Sequence, residues 1–381
     1  MIKFPKNLSA KLDARKQNNA LRHLPTQNDL IDFASNDYLG FVRSEQIFYE
    51  THQYLIDNKY IENGASGSRL LSGNHPLYAV TEKEIAQFHQ TKAALIFNSG
   101  YDANVGFFSS VPQKGDFILF DALCHASIRD GIKLSNANSH KFGHNDYEDL
   151  ERLLEKTQTP NSEIYIVTES VFSMDGDAPN FETIVKLSEK YKAYIIVDEA
   201  HALGVYGEKG EGLIQSLNFQ NAIFARIITF GKGLGCHGAA ILGSQELKEY
   251  LINFARSFIY TTGLSPHAIA AILKSYQHLQ TDKNALNQLR SNIIFFNREK
   301  MMLGLKPLFV YSKSAIQCAI IPGNEKVKNI AHQLQQKGFD VKAIISPTVP
   351  NGQERLRLCL HNFNSEKEIS EILAHLKALV F

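Results

Sequence analysis

Six short apolar runs between residues 46 and 280 constrain the fold of this chain more than any other feature. They are separated by polar or helical stretches and read AALIF, DFILF, EIYIVT, AYIIV, ARIITF and AAILG. Brief apolar runs without strict alternation are typical of strands that are buried on both faces. Helical segments between such strands imply parallel crossovers. The pattern therefore predicts an α/β fold with a mostly parallel central sheet.

The segments on either side of these runs differ in character. Residues 1–45 are predicted to form an N-terminal arm with a polar helix over 1–23. After the large domain at 46–280, the chain combines helical stretches with short strands at SAIQCAII, VKAII and ERLRLCLH. This mixture predicts a small α+β domain over 281–381.

Composition excludes several classes of protein. Apolar residues make up 44% of the 381 and charged residues 21%, which is typical of a globular protein. The net charge is only +1, without a basic stripe for a nucleic-acid partner. The four cysteines form no CxxC pair, so neither a disulfide framework nor a zinc site is indicated. Without an apolar leader or a long apolar span, we expect a cytoplasmic protein without a membrane partner.

The segment YIIVDEAH, which ends at His201, is compatible with two kinds of chemistry. In nucleotide-driven helicases these last four letters hold magnesium, whereas in pyridoxal-phosphate enzymes the aspartate meets a pyridine nitrogen. A phosphate-loop enzyme also needs GxxxxGK followed by Ser or Thr. Here the only Gly-Lys pair, Gly231–Lys232, is followed by Gly233, and Arg226 stands where the first glycine should be. A nucleotide motor is therefore excluded.

Chemically distinctive residues follow five of the predicted strands. These stretches are SGY, CH, VFSMDGD, DEAH and GKG. Ligands bind at the carboxyl edge of open parallel sheets. Their shared position predicts a cofactor site along that edge.

Three other patterns favour structural roles. Residues 233–238 match GxGxxG but precede a predicted strand rather than a helix, so tight turns are the better interpretation. His140 and His144 lie in a segment that lacks the HExxH arrangement, which favours packing or surface roles and no metal. The glycines between 204 and 212 accompany two acids that would repel an anion, which favours an exposed flexible loop.

Lys232 is the strongest candidate for a catalytic group. Lysine is rarely buried without a function, and a desolvated lysine has a lowered pKa that suits it to form a Schiff base with a carbonyl. Pyridoxal phosphate is such a carbonyl, and its pyridine nitrogen needs an anionic partner. Asp198 can be that partner, although capping of a helix is the alternative. The turn at Ser99-Gly100-Tyr101 can hold the phosphate at the start of a helix.

Several long motifs together resemble those of the α-oxoamine synthases, pyridoxal-phosphate enzymes of fold type I. They are NSGYDAN, DALCHASIRDG, ESVFSMDGD, VDEAHALGVYGEKGEG and TFGKGLGCHGAA, in this order along nearly the whole chain. The resemblance implies condensation of a small amino acid with an acyl thioester and loss of CO2. LDARKQNNALR and SPTVPNGQERLRLCL resemble the biotin-synthesis branch, which uses L-alanine and a pimeloyl thioester. The alternative is glycine with acetyl-CoA, or the substrate pair of another α-oxoamine synthase.

The resemblance also implies roles for individual residues. The catalytic residues would be Lys232, which binds the cofactor as a Schiff base, Asp198, which pairs with the ring nitrogen, and His125, which stacks on the ring. The other implied cofactor contacts are Ser99, Gly100, Tyr101, Ser173, His201, Thr229, Thr261 and Thr262, of which Thr261 or Thr262 would come from a partner subunit. The implied substrate contacts are Arg22, Asn36, His125, Thr348 and Arg357. A homodimer is implied, with coenzyme A or an acyl carrier protein as the acyl carrier.

Two departures from the family pattern accompany this resemblance. Ile345 stands where the biotin branch often has an arginine, and Leu203 where the family usually has a small hydroxyl residue. The alternating ERLRLCL predicts a strand whose leucines face one side and whose arginines face the other. Arg357 is expected to meet a carboxylate, and Arg355 is expected at the surface.

Overall fold

The computed structural model describes residues 3–22, 24 and 29–381. Its helices are α1 (Lys6–Gln17), α2 (Glu45–Asp57), α3 (Leu77–Phe88), α4 (Gly100–Ser110), α5 (Ala126–Leu134), α6 (Tyr147–Thr157), α7 (Phe181–Tyr191), α8 (Leu213–Ser216), α9 (Gln245–Phe254), α10 (Arg256–Ile259), α11 (Pro266–Thr281), α12 (Asn284–Met302), α13 (Asn324–Gln336) and α14 (Glu366–Val380). Its strands are β1 (Ile31–Asp32), β2 (Ala93–Phe97), β3 (Phe117–Asp121), β4 (Asn138–Phe142), β5 (Ile164–Glu169), β6 (Tyr194–Asp198), β7 (Ala225–Thr229), β8 (Ala239–Gly243), β9 (Ile316–Ile320), β10 (Phe339–Asp340), β11 (Lys342–Ile344) and β12 (Arg355–Cys359). The predicted N-terminal helix is present as α1, and residues 1, 2 and 23 of its predicted range lie outside the described part.

The chain divides into two compact units. One, here the sheet unit, contains Asn36–Ser173 and Asp177–Arg290. The other, here the terminal unit, contains the described residues up to Ser35, then Met174–Gly176 and Ser291–Phe381. None of the helices in the described ranges combines the length and the hydropathy needed to cross a membrane.

The sheet unit is built on a seven-stranded sheet in the order β2-β8-β7-β6-β5-β3-β4. All six predicted apolar runs form strands, and only β8 runs antiparallel to its neighbours. Successive residues of one strand enter different cores: Ile195 and Val197 pack into one cluster and Ile196 into the other. Since neighbouring side chains on a strand point to opposite faces, the sheet is covered on both sides. This confirms the predicted mostly parallel α/β architecture.

The strand β4 was not predicted. Its residues NSHKF are mostly polar and largely solvent-accessible, and β4 pairs only with β3, at the end of the sheet. An edge strand is not covered as a central strand is, so it needs no apolar run.

The glycine-rich segment 204–212 differs from the exposed loop that its composition suggested. Its four glycines are buried, and the Gly204 N–H donates to the Gly210 carbonyl at 2.8 Å. The carboxylate of Glu211 accepts the backbone N–H groups of residues 208 and 209. Glu211 therefore binds the backbone of its own segment, while Glu208 pairs with Lys283, and composition alone reveals neither contact.

The terminal unit contains a three-stranded antiparallel sheet in the order β11-β12-β9 and a short parallel pair, β1-β10. On β12 every residue is buried. The expectation of a surface position for Arg355 was wrong: it is 5% exposed, and it donates to the Met174 carbonyl and to the Asp175 carboxylate. A guanidinium can be buried when it is paired in this way.

Candidate active site

The carboxyl edge of the seven-stranded sheet brings the predicted cofactor residues together. A cavity of about 180 Å³ lies there within the sheet unit. Seven of its lining residues were predicted as cofactor contacts, namely Gly100, Tyr101, His125, Asp198, His201, Thr229 and Lys232. Because β2, β3, β5, β6 and β7 all point the same way, residues far apart in the chain meet at this edge.

Lys232 stands at one end of a hydrogen-bonded series. Its Nζ lies 2.7 Å from Nε2 of His201, and Nδ1 of His201 lies 2.7 Å from the hydroxyl of Tyr38. The Tyr38 hydroxyl donates to Oδ1 of Asn36 at 3.1 Å. One arrangement satisfies all three bonds: the lysine donates to Nε2, the Nδ1–H donates to tyrosine, and tyrosine donates to asparagine. The amine is therefore held in place by the imidazole.

Asp198 ends β6 and is 6% exposed. Its two carboxyl oxygens accept from Nδ2 of Asn104 and from the backbone N–H of Ala200, both at 2.9 Å. The following residues form turns rather than a helix, so helix capping does not account for this position. The two donors fix the orientation of the carboxyl group at the cavity wall, where it can meet the nitrogen of a pyridine ring.

His125 is fixed from two sides. It caps the N-terminus of α5, where its Nδ1 accepts from the Ser127 N–H at 3.3 Å and lies 2.8 Å from the Ser127 hydroxyl. Its own backbone N–H donates to Oε1 of Glu169 at 2.6 Å. Burial lowers the pKa of His125, which favours a neutral imidazole in the cavity wall.

The start of α4 provides a place for an anion. Ser99 caps this helix by accepting the Asp102 N–H at 3.0 Å. A side chain at Gly100 would put its Cβ only 3.1 Å from Oγ1 of Thr229, so the threonine would have to shift to admit one. The free N–H groups of the first turn and the helix dipole favour a phosphate there.

The other predicted contacts fall in several places. Thr261 and Thr262 lie beside the start of α4, because Nδ2 of Asn98 donates to Oγ1 of Thr261 at 3.2 Å and to the Thr262 carbonyl at 2.6 Å. Ser173 is buried in the sheet unit but does not line the cavity described above. In the terminal unit, Arg22 donates to Oγ1 of Thr348 at 3.4 Å, and Arg357 donates to Sγ of Cys359 at 3.0 Å.

Four site residues were not predicted from the sequence: Asn104, Ser127, Glu169 and Tyr38. A signal was present for Glu169, since IYIVTE and YIIVDE both end an apolar run with an acid. Burial, followed by the charge of Asp198, raises the pKa of Glu169 to about 8, against the lowering effects of Lys232 and the His125 N–H. A signal was also present for Asn104, which lies one helical turn beyond Gly100 in α4.

These residues fit pyridoxal phosphate. The cavity combines a primary amine, a carboxylate with donors at both oxygens, and a helix N-terminus that begins with glycine. In addition, Oδ1 of Asn104 is buried without a hydrogen-bond partner among the described residues. A buried acceptor of this kind usually has a partner, which a ligand in the cavity can provide.

Comparisons with known proteins agree with this reading. Residues 28–376 match the family "Aminotransferase class I and II". The 8-amino-7-oxononanoate synthase of Emericella nidulans is 37% identical over 365 residues, which is 90% of this chain and 87% of the relative. Among solved structures, serine palmitoyltransferase of S. paucimobilis with a bound PLP–myriocin aldimine has a TM-score of 0.88 at 25% identity, covering 98% of this chain and 96% of the other. The 8-amino-7-oxononanoate synthase of Francisella tularensis has a TM-score of 0.78 at 29% identity, covering 92% and 98%.

The fold, the amine and carboxylate in one cavity and these similarities agree with one another. The chain belongs to the aminotransferase class I and II family. It has the fold type I of pyridoxal-phosphate transferases, and its relatives within the family are the α-oxoamine synthases.

Proposed function

We propose that this enzyme joins L-alanine to a pimeloyl thioester and releases CO2 and the free thiol, forming 8-amino-7-oxononanoate for biotin synthesis. The observation that carries the proposal is that Lys232 and Asp198 line the same cavity beside the start of α4. The similarity to 8-amino-7-oxononanoate synthases supports this choice of substrates.

Pyridoxal phosphate would be held by groups already present in the cavity. Its phosphate would lie at the start of α4, against Ser99, Gly100 and Thr229. Asp198 would meet the ring nitrogen, and the neutral ring of His125 would stack on the cofactor, with His201 and Ser173 near its ring oxygen. When bound, the cofactor supplies an electron sink for the negative charge that develops at the amino acid's α-carbon.

The protein's own contribution is to place and move a proton. Lys232 would hold the cofactor through its carbonyl carbon, and the Lys232 amine would be the base that takes the proton from the α-carbon of alanine. His201 holds that amine in position at 2.7 Å. Asn104 and the Ala200 N–H hold the Asp198 carboxyl group in place, where it would stabilise positive charge on the ring nitrogen.

The remaining assignments concern the substrates and the assembly. Asn36 and Arg357 would bind the amino-acid carboxylate, while Arg22 and Thr348, which are already hydrogen-bonded to each other, would contact the acyl substrate. Thr261 or Thr262 would complete the phosphate site of a partner subunit in a homodimer. The acyl group would arrive on coenzyme A or on an acyl carrier protein.

A matrix of substrates tests the proposal. Cofactor-loaded protein is incubated with alanine, glycine or serine, each with pimeloyl-CoA or acetyl-CoA, and thiol release is measured. Release with alanine and pimeloyl-CoA is expected, because of the similarity to the biotin-branch enzymes. Release with glycine and acetyl-CoA alone would contradict the proposal and make the protein a glycine C-acetyltransferase. Repeating the assay with pimeloyl-acyl carrier protein in place of pimeloyl-CoA shows which of the two carriers the enzyme uses.

A further inference from the structure

Glu169 is a buried acid that the proposed function leaves without a role. It ends β5, lines the cavity and is 3% exposed. Its Cα is paired in register with that of Asp198 on β6, so the two acids lie side by side at the sheet edge. Two ionised carboxylates in adjacent buried positions repel each other. This repulsion favours a proton on one of the two acids.

The hydrogen bonds distinguish the two acids. Asp198 accepts an N–H at each of its carboxyl oxygens, from Asn104 and from Ala200. Glu169 receives the N–H of His125 at one oxygen, Oε1, at 2.6 Å. Because N–H donors stabilise a carboxylate more than a carboxylic acid, the acid with the single donor, Glu169, is the one that the hydrogen bonds favour as the proton carrier.

The groups around Glu169 support this assignment. Two carboxyl groups and one thiol face Glu169: Asp121 at the end of β3, Asp198 on β6, and Cys124 just after β3. One amine, that of Lys232 after β7, acts in the opposite direction. His125 is the remaining titratable neighbour, and burial lowers its pKa, which leaves it neutral. A negative charge on Glu169 would therefore meet two carboxylates and one cation in a buried site.

We propose that Glu169 is a positioning residue that acts as an uncharged acid. It anchors the backbone N–H of His125, and by remaining neutral it leaves Asp198 as the anion available to the cofactor ring. This inference rests on the proposed function, since His125 and Asp198 are the groups assigned to that ring. It also predicts that ionisation of Glu169 at alkaline pH weakens the site.

The first test measures the unfolding of the full-length, cofactor-free protein as a function of pH. The pKa of Glu169, about 8, lies above the ordinary glutamate value, so the folded state holds a proton that the unfolded state has lost. Stability from this group is complete at low pH and is lost as pH rises through about 8. Wild type should therefore lose stability from pH 6 to 9 more steeply than Glu169→Gln. Glu189→Gln, at an exposed position of α7, is the matched control and should follow wild type.

The second test separates the anchor from the charge. Glu169→Gln keeps an acceptor for the His125 N–H and should bind pyridoxal phosphate more tightly than a variant without that acceptor. Glu169→Leu removes that acceptor at similar volume and should weaken cofactor binding, measured by equilibrium titration of pyridoxal phosphate. Equal pH slopes for wild type and Glu169→Gln, or equal cofactor affinity in Glu169→Gln and Glu169→Leu, would overturn the inference. The pH slope needs neither substrate nor cofactor, so it stays informative even where the proposed substrates fail.

Discussion

The amine of Lys232 lies 2.7 Å from Nε2 of His201. In a hydrogen bond between these two nitrogens, one donates and the other accepts. The lysine amine is the donor, so the imidazole must present a lone pair to it. The Tyr38 hydroxyl, 2.7 Å from Nδ1, fixes the tautomer that does so. A residue outside the cavity lining thereby controls the orientation of the group proposed to carry out the chemistry.

Tyr38→Phe tests this control. Removal of the hydroxyl deletes a buried hydrogen bond to His201, and we expect turnover to fall about tenfold with the fold intact. Steady-state kinetics with the substrate pair that turns over would measure it. Tyr276→Phe is the matched control, because its hydroxyl makes a similar buried bond to Nε2 of His89, at 2.9 Å, away from the cavity. If Tyr276→Phe lowered turnover equally, the effect would be general rather than local.

Lys232→Ala removes the proposed base and Schiff-base partner. Turnover should fall by about a hundredfold or more, because a positioned acid–base group typically contributes that much. In the wild type, borohydride should fix pyridoxal phosphate to the protein, and in the variant it should not. Lys209→Ala, in the exposed part of the glycine-rich segment, should behave as wild type. Many turnovers by Lys232→Ala would contradict the proposed mechanism.

Much of this site was predictable because its signals are local. Asp198 and Lys232 each follow an apolar run at a strand end, and parallel strands carry such ends to one edge. The order β2-β8-β7-β6-β5-β3-β4 could not be predicted, since nothing in a single strand specifies its neighbours.

Other features depend on contacts between distant segments. Tyr38 lies 163 residues from His201, and the sequence around it contains no motif that predicts this hydrogen bond. Arg355 looks like a surface charge until the Asp175 carboxylate is brought to it. The edge strand β4 lacks an apolar run because its position at the end of the sheet does not require one. The environment of each of these residues depends on burial and pairing, which residue type alone does not reveal.

Asp198→Asn tests the proposed anion. The amide keeps the shape but cannot balance positive charge on the cofactor ring, so we expect cofactor to bind while turnover falls by about a hundredfold or more. Cofactor content is measured by absorbance and turnover by thiol release. Asp146→Asn, which should preserve the N-cap of α6, is the control. Undiminished turnover in Asp198→Asn would remove this residue from the chemistry.

We expect His144 to make the free energy of unfolding depend on pH in the alkaline range. Burial alone would lower its pKa, but hydrogen bonds to Asp121 and Asp177, each 2.9 Å long, outweigh burial and raise the pKa of His144 to about 10. A raised pKa stabilises the fold fully below the unfolded value near 6.5, and this stability is lost as pH rises through about 10. The free energies of unfolding of wild type and His144→Gln, measured with denaturant, should differ most at pH 6 and least near pH 10. At about 1.4 kcal/mol per pKa unit, the difference at pH 6 should be a few kcal/mol. A difference that does not change with pH would mean that the imidazole is uncharged.

The glutamate of the DEAH segment is expected to act on stability rather than on chemistry. Glu199 is fully buried, lies 3.3 Å from the guanidinium of Arg226 on β7, and accepts the Ile214 N–H at 3.0 Å. Glu199→Ala would leave the Arg226 charge buried without this partner, which typically costs about 3–5 kcal/mol. Denaturant unfolding measures the loss, and the exposed Glu189→Ala should stay within about 0.5 kcal/mol of wild type. A stable Glu199→Ala that loses turnover would instead place this acid in the reaction.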